Sequence, residues 1–200
     1  ENLYTGSAYY IVPKLFLLYS PIEIKKVVTN ILVSFGGADP NNYTEQVLKI
    51  ITKPEFSKVH FYIILGKAKQ NVDKLLEFNK YEHIDILYDI NNMPEIMTRC
   101  DIAITSRGRT GFELAVLGIP SISIAQNERE AKHDFMCSMN GFSYLGIKPD
   151  LSVIEQELYK YINSTVDERK QLQHKMLVND LRNGRKNVLE LINTVTEKMM

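Results

Sequence analysis

Asp101-Ile102-Ala103-Ile104-Thr105-Ser106-Arg107-Gly108-Arg109-Thr110-Gly111-Phe112-Glu113-Leu114-Ala115-Val116-Leu117-Gly118-Ile119-Pro120 is the stretch whose reading decides the fold. Residues 101–105 form an apolar run of strand length that ends in small polar residues. Gly108 follows, and from there to Leu117 the pattern is helical. Gly118 stands where a helix closes in the left-handed conformation, and Pro120 just beyond cannot continue it. A strand, a glycine turn and a helix in this order present the helix N-terminus at the carboxyl end of the strand. Unpaired N–H groups and the positive end of the helix dipole suit a phosphate there. The predicted cradle is the backbone of Gly108, Arg109, Thr110 and Gly111. Ser106 and the Thr110 hydroxyl stand beside it, and Arg107 and Arg109 bring positive charge. Glu113 lies one turn further on, facing the same cleft, where a carboxylate can accept both hydroxyls of a ribose. The dipole alone also favours an acid in a first helical turn.

The same pattern repeats outward in both directions. Upstream, 31–35 is a β-rich run ending in Gly36-Gly37, followed by helical spacing through Val47, Leu48 and Ile51. Residues 59–65 and 84–88 are further strands, and Pro94 sits near the start of a helix, where its missing N–H costs nothing. Downstream, 121–125 is a strand, 128–139 a predicted helix and 142–145 a sixth strand. From Leu151 the pattern is helical over 151–163, 165–178 and 185–198, the last two broken by Asn183-Gly184. Alternating near-continuous apolar strands and helices predict an α/β fold: a Rossmann-like parallel sheet with helices on both faces, plus C-terminal helices. Such sheets bind ligands at the carboxyl ends of their strands, near the point where the strand order reverses.

Two more strand-ending loops belong to this edge. Gly36 and Gly37, with a helix N-terminus after them, allow the backbone to approach a phosphate; tight βα turns also use glycine for purely structural reasons. Gln126 and Asn127 can hydrogen-bond a sugar or a base, with Glu130 and His133 close behind, although acids suit any helix start. Neither a P-loop nor a GxGxxG fingerprint is present, nor a GxSxG nucleophile elbow. His60, His83 and His174 are scattered without metal-ligand spacing, so neither a metal nor a cofactor is expected.

Composition excludes other classes. The 200 residues carry 24 Lys and Arg against 24 Asp and Glu, so no basic excess exists to neutralise a nucleic-acid backbone. No apolar run approaches the ~20 residues that span a bilayer. Cys100 and Cys137 stand alone, which fits buried thiols in a reduced, cytoplasmic setting.

At three loops the chain resembles a known family. Ser34-Phe35-Gly36-Gly37-Ala38-Asp39-Pro40, then Ser106 to Pro120, then Ala125-Gln126-Asn127-Glu128-Arg129-Glu130 are similar to the PseG/SpsG group, GT-B-type proteins related to the MurG-type glycosyltransferases. Leu3-Tyr4-Thr5-Gly6 with Tyr9-Tyr10 and Pro13 resembles the connector before that family's C-terminal domain, and Asp180, Gly184 and Val188 resemble its closing segment. The resemblance covers residues 3 to 190 and divides the chain into an interdomain connector and entry segment (1–30), a Rossmann-like nucleotide-binding core (31–150) and C-terminal helices of the same domain (151–200).

The resemblance implies UDP-sugar chemistry in nonulosonic acid or surface polysaccharide biosynthesis. PseG-type members hydrolyse a UDP-linked sugar and release UDP; SpsG members are described as predicted glycosyltransferases. It implies that Gly36, Gly37, Ser106, Arg107, Gly108, Arg109, Thr110 and Gly111 hold the diphosphate, Glu113 the ribose, and Gln126, Asn127, Glu130 and His133 the sugar or base. The family's N-terminal half carries a glycine-rich loop with a histidine that has no counterpart here. No catalytic residue is therefore assigned, and the chain is expected to be a piece of a longer enzyme, inactive by itself. Its expected partners are the UDP-sugar and an N-terminal domain, whose absence would expose an apolar patch and invite homodimerisation. Hydrolysis is the reading placed first. The alternatives are the nucleotide-binding half of a glycosyltransferase and a non-catalytic Rossmann-like binding module.

Overall fold

A computed structural model describes residues 3–197; residues 1–2 and 198–200, the ends of the entry segment and of the last predicted helix, lie outside it. Six strands form one parallel sheet: β1 Asn30–Ser34, β2 His60–Leu65, β3 Ile84–Tyr88, β4 Ile102–Ser106, β5 Ser121–Ala125 and β6 Phe142–Ile147. Their order is β3-β2-β1-β4-β5-β6. The order reverses between β1 and β4, so a crevice opens beyond the carboxyl ends of these two strands. The register Val33↔Ile104 and Ser34↔Thr105 brings the loop after β1 and the loop after β4 side by side.

Two apolar layers hold helices to the sheet. Ile31, Val33, Ile63, Ile102, Ile104, Ile122 and Ile124 face one way, against Val47, Leu48 and Ile51 of α2 (Tyr43–Ile51) and Ile154 and Leu158 of α7 (Leu151–Ile162). The alternate residues Leu32, Ile64 and Ala103 face the other way. They meet α5 (Thr110–Leu117), Met97 of α4 (Met93–Met97), Phe16 of α1 (Lys14–Leu17) and Met176 of α8 (Val166–Leu177).

Pleating continues this second face through Thr105, Ser121 and Ser123, all fully buried. These small side chains leave room for α5 to lie close to the sheet. Gly111, Phe112, Leu114, Ala115, Val116 and Leu117 are buried, because α1 and α8 cover the outer side of α5. Gly118 closes the helix at φ 65°, the left-handed cap that its position in the sequence calls for. The remaining helices are α3 (Val72–Leu76), α6 (Glu128–Ala131) and α9 (Gly184–Glu197).

The helix read over 128–139 ends far earlier. Only Glu128–Ala131 is helical, followed by irregular chain and a 3-10 turn at Ser138–Asn140. The tertiary structure takes this segment's groups. Arg107 binds the His133 carbonyl, the Asn140 side-chain amide binds the Phe135 carbonyl, and Phe135 stacks on Phe112. An i to i+4 ladder loses to these contacts.

Candidate functional site

Both glycine loops meet over Ser106. A Cβ added at Gly36 would lie 3.5 Å from the Ser106 hydroxyl oxygen, and one at Gly108 would lie 3.7 Å from it. Ser106 is thus the floor between the loops. Gly36 needs its glycine for its own backbone, at φ 79°. Gly37 and Gly108 do not: a side chain at Gly37 would meet nothing within 4 Å, and one at Gly108 only Ser106 and Glu130. Both therefore border open space. Gly111 has the opposite reason. Its Cβ would fall 2.3 Å from Met136 Sδ, so it is glycine to admit Met136 beneath α5.

The two helix N-termini at the crevice differ. That of α2 is closed by the chain itself: the Asp39 carboxylate accepts the N–H groups of Tyr43 and Thr44, each at 2.9 Å. That of α5 has no side-chain cap. There Gly108 N–H donates to the Ser106 carbonyl and Gly111 N–H to the Gly108 carbonyl. The N–H groups of Arg109 and Thr110 find no acceptor among the described residues. They are the open donors of this edge, next to the exposed Arg109 side chain and the Thr110 hydroxyl.

Glu113 stands one turn behind them, half-buried. Burial pushes its carboxyl up to about 7, with the nearby Arg109 guanidinium pulling the other way. Tyr10, from the entry segment, lies close enough to Glu113 and Arg109 to feel both charges, and burial raises its phenol. Its ring stacks on Phe112, centroids 3.7 Å apart and planes at 9°, and Phe112 stacks in turn on Phe135 at 4.1 Å. Sequence reasoning placed Tyr10 in a connector and gave it no role; an aromatic four residues before Lys14 carries no local signal of the ring it will meet at residue 112.

The other expected site residues are placed differently. The Arg107 guanidinium turns away from the loop backbone: Nε and Nη2 donate to the His133 carbonyl at 2.8 and 2.6 Å, and the group lies over the Tyr144 ring at 3.8 Å. Gln126 is buried, its amide nitrogen donating to Asp39 at 3.0 Å and its oxygen accepting from the Asn41 side chain at 3.0 Å. The Asn127 side chain accepts the Glu130 N–H and caps α6. Glu130 accepts the Gln126 N–H through one oxygen, and its other lies near Gly108. His133 presents its ring edge-on to Phe112 at 6.3 Å. The structure sets Gly36 and Gly108 around Ser106, with Arg109, Thr110, Gly111 and Glu113 following along the start of α5. Gln126 and Asn127 came to the same edge with their side chains already occupied.

A polar hub fixes the loop after β1. Lys69, almost fully buried, pairs with Asp39 at 3.2 Å and Glu45 at 3.0 Å and donates to Asn42 at 2.9 Å. Burial alone would raise the Asp39 carboxyl, but the Thr44 and Tyr43 N–H groups and the Gln126 amide hold it below the usual carboxylate range. Gly66 lets β2 approach this loop: a Cβ there would strike Gly37 Cα at 2.4 Å. Neither Gly66 nor Lys69 was given a part in the site by sequence reasoning. Among the described residues no group of three or more His, Cys, Asp or Glu is placed to hold a metal ion. No helix among them is long and apolar enough to cross a membrane.

Known proteins share this architecture. The family model for the glycosyltransferase family 28 C-terminal domain matches residues 30–139. An uncharacterized protein of Methanocaldococcus jannaschii is 38% identical over 118 residues, 56% of this chain and 24% of that one. The spore coat polysaccharide biosynthesis protein SpsG of Bacillus subtilis is 25% identical over 132 residues, 64% of this chain and 39% of that one. A Clostridium botulinum UDP-N-acetylglucosamine–N-acetylmuramyl-(pentapeptide) pyrophosphoryl-undecaprenol N-acetylglucosamine transferase is 26% identical over 171 residues, 84% of this chain and 48% of that one. The chain thus spans half or less of the length of these relatives. Among solved structures, Acinetobacter baumannii MurG superposes with a TM-score of 0.63 at 18% identity, over 85% of this chain and 51% of that one. The six-stranded parallel sheet flanked by helices is the C-terminal Rossmann-like half of a GT-B fold, and the chain belongs to the glycosyltransferase family 28 C-terminal domain family.

Proposed function

We propose that this chain is the nucleotide-sugar-binding half of a UDP-sugar-dependent enzyme of surface polysaccharide biosynthesis. The observation that carries the reading is the uncapped start of α5 at the strand-order reversal, where the Arg109 and Thr110 N–H groups have no acceptor among the described residues. A diphosphate supplies that acceptor, and the helix dipole and Arg109 add to the attraction. Gly37 and Gly108 leave the space it needs, and Glu113 lies one turn away, where a ribose would present its hydroxyls. Charge developing on a departing UDP would be stabilised by these same preorganised donors. Arg107, Gln126 and Asn127 support the loops rather than touch the ligand.

Transfer to an acceptor is the better of the two chemistries, because the SpsG and transferase relatives bear polysaccharide-biosynthesis and transferase names. Hydrolysis of a UDP-sugar, as in PseG-type proteins, is the second reading. In both, the catalytic base comes from an N-terminal domain, and the exposed apolar row Leu189, Ile192 and Val195 on α9 is where that domain or a second copy would rest. Calorimetric titration of the chain with UDP, CMP and ADP tests the half-site. Selective UDP binding that Glu113→Ala weakens about tenfold is expected; equal response to all three nucleotides, or none, would remove the assignment. UDP release by the longer protein from a UDP-sugar without acceptor would restore hydrolysis to first place.

A further inference from the structure

Phe112 is the side chain that fastens the first turn of α5. Arg109 is exposed, Thr110 and Glu113 are half-buried, and Gly111 has no side chain to pack, whereas Phe112 is 7% exposed. This helix end has no side-chain cap. The first N–H groups of a helix have no acceptor within it, so the turn draws little order from its own hydrogen bonds. A sandwich of rings holds it instead. Tyr10 stacks on Phe112 with centroids 3.7 Å apart, and Phe135 stacks on it at 4.1 Å. Two rings that near would overlap on one face, so they cover opposite faces of Phe112.

Both outer rings sit on backbone that is pinned from elsewhere. Behind Tyr10, Gly184 at the start of α9 packs so closely that a Cβ there would fall 2.0 Å from the Tyr10 carbonyl oxygen. The Asn187 amide donates to the Ala8 carbonyl at 2.8 Å, and the Ser7 hydroxyl to the Asn179 side chain at 3.4 Å. The entry segment is thus a strap fixed along one side of the domain, and it delivers one ring to the ligand end of α5. On the other side, Asn140 holds the Phe135 carbonyl and Arg107 the His133 carbonyl.

We propose that Tyr10 is a positioning residue for the nucleotide: pressed against Phe112, it takes the place of the missing cap and keeps the Arg109 and Thr110 N–H groups aligned before a diphosphate arrives. The inference rests on the nucleotide-sugar reading of the crevice. Donors ordered in advance lose less entropy on binding, and apparent affinity falls in proportion as the competent arrangement becomes rarer. Hydrogen exchange and calorimetry on the same variants provide the test. In Tyr10→Ala without nucleotide, the amides of Gly111 and Phe112 should exchange about tenfold faster, and UDP should bind about tenfold more weakly. Tyr10→Phe keeps the ring and should match the unaltered chain in both. Thr165→Ala weakens a different helix and should move neither. If Tyr10→Ala does not fold, Tyr10→Leu, which keeps apolar cover without a ring, carries the same expectations. Unchanged exchange at Gly111 and Phe112 in the ring-deleted variant overturns the positioning role. So does a loss of UDP affinity in Tyr10→Phe as large as in Tyr10→Ala, which would make the hydroxyl a ligand contact. Failure of the unaltered chain to bind UDP defeats the nucleotide reading instead, and the exchange rates still decide whether Tyr10 orders the turn.

Discussion

Glu113 carries the clearest pH signature at the scale of single residues. Burial raises its folded-state pKa from an ordinary 4.5 to about 7. Between those values the folded chain holds a proton that the unfolded chain has lost, so stability from this group falls as pH rises through that window. Glu113→Gln should flatten that part of a denaturation-midpoint series. Ligand binding runs the other way: a carboxylate that accepts two ribose hydroxyls must be ionised, so UDP affinity is expected to rise as pH climbs from 6 to 8 and to lose this dependence in Glu113→Gln. An unchanged pH profile in the variant would dissociate Glu113 from the ribose. Gly111 gives a second test. Gly111→Ala drives a methyl group into Met136 and should cost about 1–3 kcal/mol in urea denaturation. Combining it with Met136→Ala should recover part of that loss, because the two changes share one space.

Among the elements, α5 and α8 show how a helix is placed by opposite means. Helix α5 is apolar on nearly every side and owes its position to Ala103, Thr105, Ser121 and Ser123 beneath it and to α1 and α8 above. Helix α8 is mostly polar and owes its start to a capping box. The Thr165 hydroxyl accepts the Glu168 N–H, and the Glu168 carboxylate accepts the Thr165 N–H. Thr165→Ala should lower stability by about 1 kcal/mol in a denaturant titration. The same contrast separates the crevice helices: Asp39 closes the start of α2, whereas the start of α5 has no side-chain cap.

Across the whole molecule, a hub of the buried Lys69, Asp39 and Gln126, with Asn42 and Glu45 at its rim, joins the loops after β1, β2 and β5. It fixes the loop that carries Gly36 and Gly37. Lys69→Met leaves the Asp39 carboxylate buried beside no cation and is expected to cost about 3–5 kcal/mol by chemical denaturation. The double variant Asp39→Asn, Lys69→Met should recover part of it, since no uncompensated charge remains. Asp39 is held below its ordinary pKa, so its stabilising contribution is present above the unfolded value of 3.8 and disappears as pH falls through the lower folded value. Lys69→Met also removes the cation 3.2 Å from Asp39, so acid denaturation of that variant should begin at a higher pH than that of the unmodified chain.

The sequence by itself determined the layers and the place of the crevice. Strand-length apolar runs, the glycines at 36, 37, 108 and 118, and the helical spacing after each are local signals, set by backbone sterics and by a side-chain period that a few residues display. They locate Arg109, Thr110 and Glu113 at the end of β4 without reference to the rest of the chain. Only the tertiary structure decided which groups remain available there. Arg107 and Gln126 look like ligand contacts in the sequence, yet His133, Tyr144, Asp39 and Asn41, all distant along the chain or on another loop, occupy them. Helix 128–139 stops at Ala131 for the same reason. A hydrogen bond goes to whichever partner folding brings within reach, and neighbours in the sequence do not show which one that will be.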